Sequence, residues 1–411
     1  MTWVDIAADH PFGMTNLPYG VFTTADEPQR RRVGVRIGDL VLDAAAAAHA
    51  SGAADLVPAL AGPTLNPLLS AGKSAWDATR AWLVTALTDS AHRAALEPHL
   101  LPLADVTLHL PLEVADYVDF YASANHAMNV GKIFRPDSPA LPVNWKHLPI
   151  GYHGRAGTIV VSGTDVVRPS GQRKGPADPV PVYGPSIRLD IEAELGFLVG
   201  GPTTMGERVS VDEAADHIFG VVILNDWSAR DIQAWEYVPL GPFLGKSFAT
   251  SISAWVTPLA ALDAARIELP GQDDPVPLPY LQSASGTGAF GLDVQLEVDV
   301  NGTVVSRPPY PTMYWSPAQM LAHMTVNGAS LRAGDIYGSG TISGAERDQR
   351  GSFLELSWGG QEPFALADGS TRSYLEDGDT VTMTAWAPGV DGTRIALGEV
   401  SGTIVPTAPE A

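Results

Sequence analysis

The chain has 411 residues, 45% of them hydrophobic, no cysteine and a formal net charge of −21. That length can bury a large core and suggests two or three domains. The lack of cysteine excludes disulfides, thiolate zinc sites and cysteine nucleophiles, and the acidic balance argues against a nucleic-acid partner, which would need a basic face.

The 41 glycines and 34 prolines exceed the ordinary combined share of about 12% and predict a turn-rich, mainly β protein. Residues 1–10 hold no basic stretch followed by an apolar one, so no signal peptide is expected. The longest apolar runs, such as 218–224, fall far short of the ~20 residues that cross a bilayer. A cytoplasmic protein without membrane contact is the expectation.

Residues 1–115 read as a small separate unit. Runs 20–23 and 32–37 have strand composition, and Gly38-Asp39 supplies a hairpin turn into 40–42. Alanine-rich helical segments follow at 44–50, 74–88 and 90–96. His10, His49, His92, His99 and His109 are scattered without metal-ligand spacing, and no chemistry is expected there.

From residue 116 to 411 short β-prone runs alternate with Gly/Pro turns. The segment 188–199 alternates, with Ile191, Ala193 and Leu195 on one face of a strand and Asp190, Glu192 and Glu194 on the other. Two readings stand for three carboxylates on one face. One is a solvated outer face. The other is a hard-cation site of oxygen ligands suited to Mg2+ or Ca2+, because like charges that close repel and desolvate at a cost. The run 292–300 repeats the pattern, setting Val294, Leu296, Val298 and Val300 against Asp293, Gln295, Glu297 and Asp299. Asn301-Gly302 then predicts a type I′ turn into 303–306. A solvated outer face is expected there, so acidic alternation alone does not define a site. Segment 168–181 reads as a loop, 316–326 as a helix ending at Gly328, and 380–386 and 395–405 as closing strands.

Gly-x-Ser-x-Gly and His-Glu-x-x-His are absent, and Gly338-Ser-Gly-Thr-Ile-Ser-Gly344 has the wrong spacing for a phosphate fingerprint. The chemistry is concentrated between 116 and 250. Asp226 stands at the exit of the apolar run 218–224, where a rigid strand can fix a ligand. Asp119, Glu192, Glu194 and Asp226 brought together would place four negative charges at one spot. A divalent ion with Lys246 would leave about −1, which a nearby Arg would cancel. The alternative is that each carboxylate is buried or solvated separately.

The segments Asp116-Tyr-Val-Asp-Phe-Tyr121, Asn125-His126-Ala, His147-Leu-Pro-Ile-Gly-Tyr-His-Gly-Arg155, the run of more than twenty residues from Asn225-Asp-Trp-Ser-Ala-Arg230 to Lys246-Ser-Phe248, Ser339-Gly-Thr-Ile-Ser-Gly344 and Leu354-Glu-Leu-Ser-Trp358 resemble the fumarylacetoacetase family. The resemblance runs in order from about 110 to 405. It implies a mainly β fold with some α: a small N-terminal SH3-like β domain with helices over 1–115, then a catalytic mixed β-roll domain over 116–411, usually in a homodimer. It implies hydrolysis of the carbon–carbon bond of the β-diketo acid 4-fumarylacetoacetate to fumarate and acetoacetate, the last step of phenylalanine and tyrosine breakdown.

By the same resemblance Asp119, Glu192, Glu194 and Asp226 hold the divalent cation. A further cation position falls near Asp226, Lys246 and Thr250, where Lys246 could offer only its backbone carbonyl. His126 is the base, Glu355 orients its imidazole, and Arg230, Gln233 and Lys246 stabilise the oxyanion. Tyr121, Arg135, Tyr152, Gln233, Tyr237 and Thr341 contact substrate. The family does not use Asp190, which reads as a solvated or hydrogen-bonded neighbour. Structural alternatives remain: a surface ion pair of Arg230 with Asp231, an outward Glu355, and tyrosines that serve only the core. At the level of function the alternatives are an acylpyruvate hydrolase or oxaloacetate decarboxylase of the same superfamily, and a cation-binding protein without turnover.

Overall fold

The computed structural model describes residues 2–137, 139–175 and 177–407, so the last four residues of the expected catalytic domain lie outside it. The N-terminal part is a five-stranded antiparallel sheet in the order Leu100–Pro102, Leu40–Asp43, Glu27–Ile37, Tyr19–Thr24, Val106–His109. Val33, Val35 and Ile37 alternate inward from the long second strand. Gly38 turns the hairpin with φ +61, a conformation that carries little cost without a Cβ. Asp43 then accepts from Ala46 N at 3.2 Å and so caps helix Ala44–Ala50. Helix Lys73–Thr88 buries Trp76, Thr79, Leu83, Ala86 and Leu87 along one stripe. That stripe does not close a core of its own. The Trp76 ring meets Phe219 edge-on at 5.3 Å, and the same apolar cluster takes in Leu224, Ile252, Val256 and Ile336 from the main sheet.

The main sheet runs Gly151–His153, Tyr117–Phe120, Ile336–Gly338, Ala193–Val199, Ile218–Asp226, Thr250–Ile252, Ile159–Val161, with Thr257–Pro258 also paired to Ile218–Asp226. Its two central strands are buried along their whole length. The N-terminal core covers one face and the cluster around Trp227, Leu296 and Met383 the other. A second sheet orders Thr303–Ser306, Gln295–Val300, Thr380–Pro388, Arg394–Val405 and Val166–Val167. The result is mainly β with some helices, as the resemblance implied.

Several local expectations hold. Val294, Leu296, Val298 and Val300 are buried while Asp293, Gln295, Glu297 and Asp299 face outward, half-exposed. Asn301 and Gly302 both take positive φ, as a type I′ turn requires. Ser316 and Gln319 form a capping box on helix Pro317–Thr325.

Two expectations fail. The strand expected over 188–199 breaks: Leu189–Asp190 pairs with Ser228–Ala229, and only Ala193–Val199 enters the main sheet. Asp190 Oδ1 accepts from Ile191 N at 2.7 Å and Asn225 Oδ1 accepts from Glu192 N at 3.2 Å, so side chains take these amides from the ladder. The expected loop 168–181 contains strand Ser170–Arg173, which pairs with Val182–Pro185. Gly171 has the look of a loop residue, but a Cβ there would meet Ile232 Cδ1 at 2.8 Å, so it is where this hairpin presses on helix Arg230–Glu236.

Candidate functional site

Four adjacent strands bring the expected acids together: three carry Asp119, Glu194 and Asp226, Ile336–Gly338 lies between the first two, and Glu192 stands just ahead of Ala193–Val199. Parallel pairing sets Gly338 opposite Asp119, and antiparallel pairing sets Gly196 opposite Gly338, which brings Glu194 to the same spot. Asp226 ends its strand opposite Thr250. One oxygen from each of Asp119, Glu192, Glu194 and Asp226 lies within 4.8 Å of the others, and all four residues are buried. The solvated reading of the 190–194 carboxylates is therefore overturned: Asp190, Glu192 and Glu194 are all buried.

Lys246 Nζ donates to Glu192 Oε2 at 2.5 Å and to Asp226 Oδ2 at 2.6 Å. Arg230 Nη1 lies 2.7 Å from Glu192 Oε1, and its Nε donates to Asp190 Oδ2 at 2.7 Å. Burial alone would raise the Glu192 pKa, but Lys246 and Arg230 outweigh it and hold the carboxyl below its usual range. Among the described residues, no cation lies at contact distance from Asp119 or Glu194. Burial first, then repulsion from the neighbouring carboxylates, pushes both well above the usual range. Arg230 is fully within this cluster and not in a surface pair; Asp231 instead accepts from Ser186 Oγ and Ile187 N. Asp190 is 0% exposed, which removes the solvated reading and leaves the hydrogen-bonded one. Because Arg230 is shared with Asp190, it does not cancel the last charge as expected. With all five carboxylates ionised, as a bound dication would require, the two cations would leave three negative charges and the dication about −1.

These residues fit a divalent cation. Asp119 Oδ1 and Glu194 Oε1 are buried oxygens without a hydrogen-bond partner, and buried polar atoms are seldom left so. The donor set is all oxygen, the chemistry of hard cations. The backbone leaves room: a Cβ at Gly338 would fall 2.7 Å from Glu194 Oε2 and 2.9 Å from Asp119 Oδ1. Gly338→Ala is thus expected to weaken cation binding markedly while lowering stability by only about 1–3 kcal/mol, the usual range for overpacking. Calorimetric titration with Mg2+ or Ca2+ beside urea unfolding checks both parts.

The base dyad is also assembled. Ser123 caps helix Ala124–Phe134, and its Oγ accepts from His126 N at 3.3 Å. His126 Nδ1 lies 2.6 Å from Glu355 Oε2, across 229 residues of sequence. Glu355 also accepts from Asn129 Nδ2, Ser343 Oγ and Ser352 Oγ, each at 2.9 Å. Burial would raise this carboxyl, but His126 and then these hydrogen bonds hold it below its usual range. An ionised Glu355 fixes the proton on Nδ1 and leaves Nε2 as the free imidazole nitrogen. Glu355 is thus inward and 0% exposed, not an outer residue. The motifs alone assign no role to Asn129, Ser343 or Ser352. Two of them left a signal: Asn129 is one helical turn from His126, and Ser352-Phe-Leu-Glu355 has capping-box spacing.

A cavity of about 380 Å3 opens onto this centre. Asp119, Glu192, His126, Arg230, Gln233 and Lys246 line it, and so do all the expected substrate positions, Tyr121, Arg135, Tyr152, Tyr237 and Thr341. Arg230, Gln233 and Tyr237 come from one turn-spaced face of helix Arg230–Glu236 and its C-cap. Glu194, Asp226 and Glu355 stand behind the wall. Tyr152 Oη donates to Asp226 Oδ2 at 3.2 Å, so this tyrosine touches the acid cluster as well. Thr250 Oγ1 donates to Asp226 Oδ1 at 3.1 Å. Thr250, Asp226 and Lys246 border a separate cavity of about 350 Å3.

Comparison with known proteins gives the family. The family described as fumarylacetoacetate hydrolase C-terminal matches residues 116–405, and that described as fumarylacetoacetase N-terminal matches residues 15–111. Fumarylacetoacetase of Homo sapiens is 44% identical over 420 residues, covering 99% of each chain. That of Arabidopsis thaliana is 43% identical over 423 residues, again 99% of each. Among solved structures, a fumarylacetoacetate hydrolase from Exiguobacterium antarcticum matches with TM-score 0.55 at 17% identity, over 95% of this chain and 99% of that one. A maleylpyruvate hydrolase from Sphingobium matches with TM-score 0.53 at 16% identity, over 95% and 100%. At such identities those two speak for the fold alone. Matched over both its parts by these families, and nearly end to end by relatives of one name, the chain belongs to the fumarylacetoacetase family.

Proposed function

We propose that this protein hydrolyses the carbon–carbon bond of 4-fumarylacetoacetate to fumarate and acetoacetate, with a divalent cation, Mg2+ or Ca2+, held by Asp119, Glu192, Glu194 and Asp226. One observation carries the reading: Asp119, with its partnerless carboxylate oxygen, and His126, held by Glu355, line the same cavity. A storage or scaffold site for a cation has no use for a base beside it, so this pairing favours catalysis.

A bound dication supplies Lewis acidity to diketone oxygens and carries the charge of a leaving enolate. The chain's own groups do the rest. His126 Nε2 takes a proton from water, Glu355 stabilises the imidazolium, and the water oxygen bonds to the fumaryl carbonyl carbon. Three groups have donors free for the resulting oxyanion. Arg230 Nη2 is buried without a partner. Lys246 uses two of its three N–H bonds on Glu192 and Asp226. Gln233 Oε1 accepts from Arg230 Nη1 at 3.1 Å, which leaves its amide N–H groups for substrate. As the oxyanion collapses, the carbon–carbon bond breaks, and the proton held by His126 passes to the departing acetoacetate carbon. Arg135, half-buried at the cavity wall, suits a terminal carboxylate. Thr341 Oγ1, buried without a partner on the same wall, is a further donor. The same reading makes the protein a cytoplasmic homodimer at the last step of phenylalanine and tyrosine breakdown, with a β domain to about residue 115 ahead of the catalytic one. A second cation beside Asp226 and Thr250 belongs to it as well.

Pure protein incubated with fumarylacetoacetate is expected to consume the diketone absorbance, and to act far more slowly on acylpyruvates and oxaloacetate. Chelation is expected to abolish turnover, and added Mg2+ or Ca2+ to restore it. Turnover that survives thorough chelation would rule out the Lewis-acid role.

A further inference from the structure

We propose that Asp190 is a positioning residue that ties the oxyanion-binding Arg230 to the turn bearing Glu355, so that one carboxylate sets both halves of the machinery in register. The inference rests on the hydrolysis proposed above. Asp190 is neither among the residues that line the cavity nor one of the four cation-holding carboxylates. It is 0% exposed, and both its oxygens are engaged twice. Oδ2 accepts from Arg230 Nε at 2.7 Å and from Leu354 N at 2.9 Å. Oδ1 accepts from Phe353 N at 2.7 Å and from Ile191 N at 2.7 Å. A carboxylate has about four lone-pair sites, and all are spent.

The partners give this arrangement a purpose beyond packing. Leu354 immediately precedes Glu355, which holds His126. Asp190 Oδ2 therefore bridges the guanidinium and the amide next to the base-orienting carboxylate. Backbone register makes the same connection, because Asp190 pairs with Ser228, two residues before Arg230. On the guanidinium, Nε is fixed by Asp190, while Nη1 is fixed by Glu192 and Gln233. Only Nη2 is left without a partner. Without the Nε anchor, the planar group is free to turn and present two N–H groups to Glu192, the bidentate arrangement arginine favours. Nη2 would then be spent on Glu192. Asp190 thus decides which edge of Arg230 is available to substrate.

Asp190→Asn puts an amide NH2 among four donors while keeping the volume. It is expected to lower kcat by about 100-fold, the cost of a misplacement near 1 Å, with KM and cation affinity little changed. Combined with Arg230→Gln, the losses should be clearly less than the product of the single losses. In metal-free protein the downfield His126 Nδ1–H resonance should shift in Asp190→Asn and stay put in Arg135→Gln. Should Asp190→Asn not fold, Asp190→Glu, which keeps the charge but moves it by one methylene, decides the same points. Wild-type kcat in a folded variant, losses that multiply, or an unmoved resonance would each overturn the role. If the wild-type protein itself fails to turn over fumarylacetoacetate, the proposed function falls, and the resonance still decides whether Asp190 holds the dyad.

Discussion

His126→Asn is expected to lower kcat by about three orders of magnitude, within the range for loss of a general base, while cation affinity stays near wild type. Asparagine is the informative replacement. Its side-chain N–H can occupy the place of Nδ1 and keep the 2.6 Å contact that satisfies Glu355. Alanine would take the imidazole from that carboxylate, 0% exposed, and leave its buried charge to Asn129, Ser343 and Ser352 alone, which is itself destabilising. His126→Asn removes only the free nitrogen that would take the proton from water. None of the cation-holding carboxylates lies on the helix of His126, so their geometry is not expected to change. Rates from the loss of diketone absorbance, beside titration calorimetry with Mg2+ or Ca2+, separate the two effects. Near wild-type kcat would refute the base assignment, and a large fall in cation affinity would show that His126 belongs to the cation site instead.

The contrast between two acidic runs shows how far sequence reaches. Asp190, Glu192 and Glu194 share an alternation with Asp293, Gln295, Glu297 and Asp299, yet the first set is buried and the second faces outward. Period alone cannot separate them, because the difference is tertiary. Ala193–Val199 lies between Ile336–Gly338 and Ile218–Asp226 with both faces covered, whereas Gln295–Val300 leaves a face to solvent. Asp226 was more legible, since an acid closing an apolar strand has a local signature. Asp119 depends on the parallel pairing of residue 119 with residue 338, and Glu355 meets His126 across 229 residues; only the family resemblance could suggest either in advance. Asp190 reads from sequence as no more than a solvated or hydrogen-bonded neighbour, because its partners include backbone amides of a remote turn and a sequence shows no amide directions. The hairpin at Ser170–Arg173 was hidden by its own glycine and proline neighbours, which serve close packing as readily as loops.

Lys246→Met is expected to cost the metal-free protein about 3–5 kcal/mol, the usual penalty when one member of a buried ion pair is removed. Methionine fills much of the same volume, so the loss is electrostatic: Glu192 and Asp226 would keep their burial and lose the ammonium at 2.5 and 2.6 Å. The sign of the pH dependence follows. In the wild type, burial would raise Glu192, but Lys246 and Arg230 pull it below its ordinary range. Without Lys246 that pull weakens for Glu192, and Asp226, already raised by burial, rises further. A carboxyl with a raised folded-state pKa binds more protons folded than unfolded, so its contribution to stability falls as pH rises from the ordinary carboxylate range through the raised value. The destabilisation by Lys246→Met should therefore be larger at about pH 8 than at about pH 5. Saturating dication should shrink it, since the variant, with one positive charge fewer beside the same carboxylates, binds the dication more tightly and so gains more stability from it, as the logarithm of the affinity. Even then turnover should stay low, by about 10²–10³ for a lost oxyanion donor. Urea unfolding of the metal-free and loaded forms at both pH values gives four stabilities that fix the account. An equal loss at both pH values would mean that Lys246 does not hold these carboxylates in their charged form, and that the acid cluster is balanced by something other than the ammonium beside it.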